Sequence, residues 1–442
     1  MVRQERGRCS FSSVVAWCAG LMALLLAQGA GSPLFAQGAE DYIVAFREGT
    51  APSVRAAVAQ GVGAAVRFNY ENVNAAAVRV PNANALAALR NDPSVLSVIP
   101  DRPVFMHQRA DAKGGNGKKP GGGGSAQVVP PGVARVGVAY DGSNGAGVGV
   151  AIVDTGIDFA HPDLAAAPDW FSAFGGSCQD DEGHGTHVAG TVAALDNAID
   201  VVGVAPGATL YCVKVLDGSG SGSDATVLAG LDWVETNRAA KNIRVVNMSL
   251  GRPVAPNDDH PLRSIIQTLH TAGVAVVVSA GNDPGVEVTS QVPATYPEVF
   301  AIASTTAAEG TNRCRFLQYP ILADTASYFT TDGAFNPGTG IGVTASAPGD
   351  EREDVSRGCM ISSVGVLSTA LGGGTTRKSG TSMSAPHVAG IVARMFERGE
   401  SDVEMIRGLL RGGSDLPGVA PRHSPSTAYS FDGEQEGVAQ AP

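Results

Sequence analysis

Apolar positions along the chain fall into two regimes. From Tyr42 to Ile99, short apolar runs at Tyr42–Phe46, Ala64–Tyr70, Ala75–Val80 and Val95–Ile99 read as strands, and Ala51–Gln60 and Asn84–Asn91 carry helical spacing. That order, β-α-β-β-α-β, predicts a small α+β unit of the split βαβ kind. From Val128 onward the runs become continuously apolar: Val148–Val153, Leu210–Val215, Val245–Met248 and Val274–Val278, each bounded by Gly, Asp or Ser. Helical patterns lie between them at His187–Ala194, Asp224–Asn237 and Leu262–Ala272. Strands apolar on both sides and alternating with helices predict an α/β domain whose mainly parallel sheet is covered on both faces. Between the two regimes, DAKGGNGKKPGGGGS (Asp111–Ser125) can bury almost nothing and predicts a flexible, cuttable linker.

One apolar run does not belong to either unit. Arg3, Arg6 and Arg8 precede the largely apolar Phe11–Ala27, and Ala30 and Ala36 each offer a small residue before a cut. Pro33 and its Gly and Ser neighbours interrupt the run before it gains the ~20 strongly apolar residues of a membrane span. Residues 1–36 are therefore expected to be a cleaved export signal rather than an anchor, and the protein to be secreted, to the periplasm or the exterior. Cys9 and Cys18 leave with that signal; Cys178, Cys212, Cys314 and Cys359 remain, an even number bound for an oxidising compartment. None forms a CxxC pair, so zinc is not expected. Of the three connectivities, Cys178–Cys212 with Cys314–Cys359 closes the shortest loops. The net charge of −11 becomes −13 without Arg3, Glu5, Arg6 and Arg8. Nucleic acid and anionic membrane are thereby excluded as principal partners.

The candidate chemistry sits where such a sheet collects it, beyond the carboxyl ends of the strands. Asp154 follows a buried strand in AIVDTGID, a position that a plain cap could also fill. DDEGHGTHVAGT places His184 and His187 at the mouth of a small-residue helix; as a metal pair they lack a neighbouring Glu or Cys. A neutral imidazole there can accept a proton if its other nitrogen finds an acceptor such as Asp154. In SGTSMSAPHVAG, Ser382 falls at or near the first turn of a helix, where free amides and the dipole favour negative charge. Ser379 and Ser384 read as turn and helix-face residues, and Pro386 as a first-turn proline. Asn282 in SAGND could supply a side-chain donor to an oxyanion, or simply form a turn.

DTGID, GHGTHVAGT, SAGN and GTSMSAPHVAG, in this order, resemble the subtilisin family of secreted serine proteases over nearly all of residues 126–442. The resemblance implies a subtilisin-like three-layer α/β fold with Asp154 as orienting carboxylate, His184 as base then acid, Ser382 as nucleophile and Asn282 as oxyanion donor. It implies that residues 41–107 are a ferredoxin-like, inhibitory propeptide domain, with 108–125 as the linker. Substrate would pair as an added strand against Gly220, Ser221 and Gly222 on one side and Ser249, Leu250 and Gly251 on the other, with Ser279, Ala280 and Gly281 bordering the pocket before the cut. A structural calcium ion is also implied, on Gln127, Asp163, Leu195, Asn197, Ile199 and Val201. The expected partners are protein or peptide substrates and the chain's own propeptide, acting on a monomer.

Departures from the family pattern carry their own expectations. The Gly-rich linker makes cuts near Gln108 and near Ser125 both open. Thr311–Met360, longer than the compact family core and carrying the acidic Asp350–Asp354 run, is expected to be a surface loop tied by Cys314–Cys359. The related sedolisin pattern would need a Glu base and an Asp at the oxyanion position, which His184 and Asn282 oppose. A pseudoprotease on the same scaffold would usually lack one of the trio, and none is missing.

Overall fold

The computed structural model describes residues 39–108, 126–138, 143–255, 261–316, 319–415, 434 and 436–442. The export signal expected at 1–36 and all of the linker expected at 108–125 except Gln108 lie outside these residues.

The first unit runs β1 (Glu40–Phe46), α1 (Pro52–Gly61), β2 (Ala65–Asn69), β3 (Ala75–Val80), α2 (Ala83–Asn91) and β4 (Val95–Pro100). Its antiparallel sheet has the order β2-β3-β1-β4. Alternation along the strands divides the side chains between two cores. Val44, Ala76 and Val78 face α1 and α2 together with Ala59 and Leu89. Ile43, Ala75 and Ala77 face the other way, into the core of the second unit. That explains why β3 is apolar on both faces. After β4 the chain forms one more strand, β5 (Pro103–Met106), which leaves the first sheet altogether.

The second unit begins with α3 (Pro131–Arg135), β6 (Gly149–Asp154), β7 (Phe171–Ser172) and α4 (His184–Ala193). It continues through β8 (Thr209–Lys214), β9 (Ser221–Ser223), α5 (Asp224–Lys241), β10 (Ile243–Met248), β11 (Leu250–Pro253) and α6 (Pro261–Thr271). Then come β12 (Ala275–Ser279), β13 (Gln291–Val292), β14 (Val299–Thr306) and β15 (Val343–Asp350). Two hairpins, β16 (Glu353–Val355) with β17 (Ile361–Ser363) and β18 (Val366–Thr369) with β19 (Thr375–Lys378), precede α7 (Thr381–Glu397) and α8 (Val403–Gly413).

Seven parallel strands form the central sheet in the order β15-β14-β12-β10-β6-β8-β7. Val150 and Ile152 of β6 pack with Val188 of α4 and Val388 of α7. Ala151 and Val153, one residue out of phase, pack with Leu228 of α5 and Ile265 of α6. The result is the three-layer α/β architecture the apolar runs predicted. Among the described residues no helix is long and apolar enough to cross a membrane.

Both expected disulfides are present, Cys178–Cys212 and Cys314–Cys359. The expectation that Thr311–Met360 is a surface loop fails in its second half. Val343–Asp350 is an edge strand buried along its whole length. The acidic run is drawn inward with it because its carboxylates find donors: Asp350 Oδ1 accepts from Gly365 N at 2.6 Å, Glu353 Oε1 from Tyr328 N at 2.7 Å, and Glu351 pairs with Arg377. Burial raises Asp350 to about 7 and Glu353 to about 8.

Candidate active site

Asp154 closes β6, an interior strand of the central sheet, and is fully buried. Its Oδ1 accepts from Thr155 N at 2.7 Å and lies 2.7 Å from His184 Nδ1. His184 opens α4, three residues earlier than the apolar pattern placed the helix start. What fixes that start is Asp180. Its Oδ1 takes the Gly183 and Glu182 amides at 2.9 and 3.0 Å, and its Oδ2 takes the Thr186 amide at 2.9 Å and the Thr186 hydroxyl at 2.5 Å. Burial alone would raise this carboxyl, but the Thr186 hydroxyl and the three amides outweigh it and hold the group below the ordinary range. The Thr155 hydroxyl ties the two pieces together, donating to Asp180 Oδ1 and accepting from Gly185 N, both at 2.9 Å. His187, the other histidine of the pair, bonds the Val366 carbonyl at 3.0 Å, and burial pushes its pKa well down. The two histidines therefore do not converge on a common ligand.

Helix α7 brings the serine. Gly380, at a φ of +142°, turns the chain so that Thr381 and Ser382 are the first two helical residues. Pro386 is the sixth, in the second turn rather than the first. Its missing N–H would have bonded the Ser382 carbonyl four residues back. The Ser249 hydroxyl fills the gap, donating to Ser382 O at 2.8 Å and accepting from Asn247 Nδ2 at 3.0 Å. In return, Ser382 Oγ donates to the Ser249 carbonyl at 3.0 Å. His184 Nε2 is buried and takes no hydrogen bond. Ser379 and Ser384 are buried with unpartnered hydroxyls.

The remaining space is filled by the chain itself. Strand β5 lies between β9 and β11 in a second, antiparallel sheet of order β13-β11-β5-β9. Val104 pairs with Gly222, Phe105 with Ser221 and Gly251, and Met106 with Leu250. Met106 N donates to Gly220 O at 3.1 Å and His107 N to Ser249 O at 3.2 Å. The His107 carbonyl then accepts from Asn282 Nδ2 at 2.5 Å and from Ser382 N at 3.4 Å. Asn282 is aimed by its other end, since its Oδ1 accepts from the Thr381 amide at 2.9 Å and hydroxyl at 3.0 Å. The His107 ring enters a pocket where Nδ1 lies 2.8 Å from Ser279 Oγ. Burial, reinforced by nearby His184, lowers its pKa to about 4. Gly281 sits at a φ of +123° with its amide on the Thr381 hydroxyl, while Ala280 is in the core with its amide on Ile302 O at 3.0 Å.

The residues expected at a metal also come together. Gln127 bridges the Leu195 carbonyl at 3.1 Å and the Ala198 amide at 2.9 Å; Asn197 Oδ1 accepts from Ile199 N at 3.1 Å; Val201 N donates to Asp163 Oδ2 at 3.1 Å. Asp163 Oδ1 is buried without a donor, and burial raises this carboxyl to about 7. Asp180, Thr155, Thr381 and His107 escaped the reading of the sequence. Asp180 alone left a local signal, an Asp three residues before the helix's Gly-His start.

Residues 145–415 match the model of the subtilase family. The chain belongs to this family. It is 32% identical over 370 residues to subtilisin E of Bacillus subtilis (strain 168), covering 81% of each chain. It is 38% identical over 280 residues to subtilisin Savinase of Lederbergia lenta, covering 62% of this chain and 87% of the relative. M-protease of Shouchella clausii (strain KSM-K16) is likewise 38% identical over 280 residues, 62% of each chain. This subtilase is a serine endopeptidase that works through an acyl-enzyme intermediate.

Proposed function

We propose that Asp154, His184, Ser382 and Asn282 carry the reaction, and that the peptide bond between His107 and Gln108 is the first one this enzyme cuts. A single observation supports this above all. The His107 carbonyl oxygen lies between two donors, Asn282 Nδ2 and the Ser382 amide at a helix N-terminus, which is where a developing oxyanion is best held. Ser382 Oγ, released from the Ser249 carbonyl, attacks the carbonyl carbon as its proton passes to His184 Nε2, which holds no competing bond. Asp154 fixes the imidazole through Nδ1 and stabilises the imidazolium. Collapse of the tetrahedral intermediate hands that proton to the leaving amine of Gln108 and leaves an ester on Ser382. Water, deprotonated by His184, then releases the acyl group.

On this reading residues 41–107 are a ferredoxin-like propeptide that occupies the cleft until cut, in an exported precursor. Its grip on α5 supports the assignment: Asp232 accepts the Glu71 and Asn72 amides at 2.9 and 2.8 Å, and Asp101 accepts the Ala225 amide at 2.9 Å. In Ser382→Ala, kcat for peptide hydrolysis should fall on the order of 10⁶-fold. The purified precursor should then stay uncut after Met106-His107, read by intact mass. Efficient processing of that variant in a protease-free host would overturn self-cleavage.

We further propose a structural calcium ion held by Gln127, Asp163, Asn197 and the carbonyls of Leu195, Ile199 and Val201. The undonated, buried Asp163 Oδ1 fits a hard cation, although Gln127 already spends its carbonyl on Ala198 N. Bound calcium would neutralise that carboxylate and tie the segment at 126–128 to the loop at 195–201. Chelation should lower the unfolding midpoint of Ser382→Ala, and calcium alone should restore it; an unchanged midpoint rules the ion out.

A further inference from the structure

The pocket next to the scissile bond is not plainly apolar. Ser279 ends β12 fully buried, and its hydroxyl points at the imidazole of His107 from 2.8 Å. On the other side the ring lies against the backbone of Gly251, where a Cβ would come within 2.5 Å of His107 Cε1 and 2.9 Å of Nε2. A flat ring thus fits against one bare peptide wall while its edge meets a hydroxyl. A serine hydroxyl both donates and accepts, so it pairs with a neutral imidazole in either tautomer. An aliphatic or phenyl side chain in the same place would bury that hydroxyl without a partner, which sites built around a hydrogen bond discriminate against strongly.

We propose that this cleft is built to take histidine, as the neutral imidazole, immediately before the bond it cuts, and that Ser279 is the residue that selects it. The proposal rests on the reading of Ser382 as nucleophile and of His107–Gln108 as the first substrate. It narrows that reading to a substrate class, peptides with a hydrogen-bonding, uncharged ring at this position.

The test is a peptide series, identical except for His, Gln, Leu or Phe before the scissile bond, cleaved by enzyme matured from the full-length precursor. At neutral pH, kcat/KM for the His peptide should exceed those for Leu and Phe by about tenfold or more. In Ser279→Ala the His-to-Phe ratio of kcat/KM should fall about tenfold, whatever the absolute rates, a change that a purely structural role for the hydroxyl would not produce. Wild-type enzyme that cleaves the Leu or Phe peptide as fast as the His peptide overturns the proposal, as does an unchanged ratio in the variant. If Ser279→Ala fails to mature, the wild-type series decides. Labelling with a fluorophosphonate separates the two levels of failure. Enzyme labelled at Ser382 but indifferent to His refutes only the selectivity, whereas enzyme that neither labels at Ser382 nor cuts any peptide refutes the reading beneath it as well.

Discussion

Two helices meet at the site, each starting just after a positive-φ glycine, Gly183 before α4 and Gly380 before α7, and the amides at their N-termini find different kinds of partner. At the start of α4 the Gly183 and Thr186 amides go to the Asp180 carboxylate and the Gly185 amide to the Thr155 hydroxyl. At the start of α7 the Thr381 amide goes to Asn282 Oδ1, while the Ser382 amide meets the His107 carbonyl. A capped N-terminus is a rigid mount, suited to hold His184 on Asp154. At α7 the Ser382 amide, which has no side-chain acceptor, keeps its partial positive charge for an arriving carbonyl. A helix-start amide without a side-chain acceptor, in a helix otherwise buried, is hydrogen-bonding capacity left open to an arriving carbonyl.

At the start of α7, Asn282→Leu keeps the side-chain bulk and removes both the Nδ2 donor and the acceptor for Thr381, so kcat should fall about 10²- to 10³-fold with a much smaller change in KM. Steady-state kinetics on a single peptide decide this, and a loss confined to KM would mean that Asn282 serves binding rather than the transition state. At the capped start, Asp180→Ala leaves the Thr186, Gly183 and Glu182 amides without their acceptor. It should cost stability, about 2–3 kcal/mol, before it costs chemistry. Urea unfolding of the variant in a Ser382→Ala background measures it free of self-digestion. The sign of its pH dependence follows from the lowered pKa. Asp180 binds a proton less readily folded than unfolded, so its contribution is complete above the ordinary aspartate value of about 3.9 and fades as pH falls through its lower folded value. The gap between parent and variant should therefore close only in strong acid.

Much of this was legible in the one-dimensional pattern. Continuous apolar runs revealed the parallel sheet, and Asp154 and Asn282 could be placed at strand ends because such runs stop abruptly there. The first unit's six elements fall close to where alternation and helical spacing put them. Other features resisted for physical reasons. The acidic run at 350–354 reads as surface because charge usually is, and only donors from Gly365, Tyr328 and Arg377, brought in by the fold, make it an interior segment. Pro386 reads as a first-turn residue, but one further turn exposes the Ser382 carbonyl that Ser249 then satisfies across 133 residues of sequence.

By itself, then, the sequence determined the identities that chemistry demands and the local frames that hold them: an acid at a strand end, an imidazole and a hydroxyl at helix starts, and an amide in a glycine-flanked loop. Tertiary structure decided which partners those groups face. Asp180 caps α4, Ser249 answers Pro386, and His107, rather than a neighbour, sits in the pocket, because these depend on register between β5, β9 and β11 and on pairings distant along the chain. Hydrophobic spacing is a property of neighbouring residues and can be read along a line. Hydrogen-bond satisfaction inside a core is a property of a closed volume, and it exists only once that volume has formed.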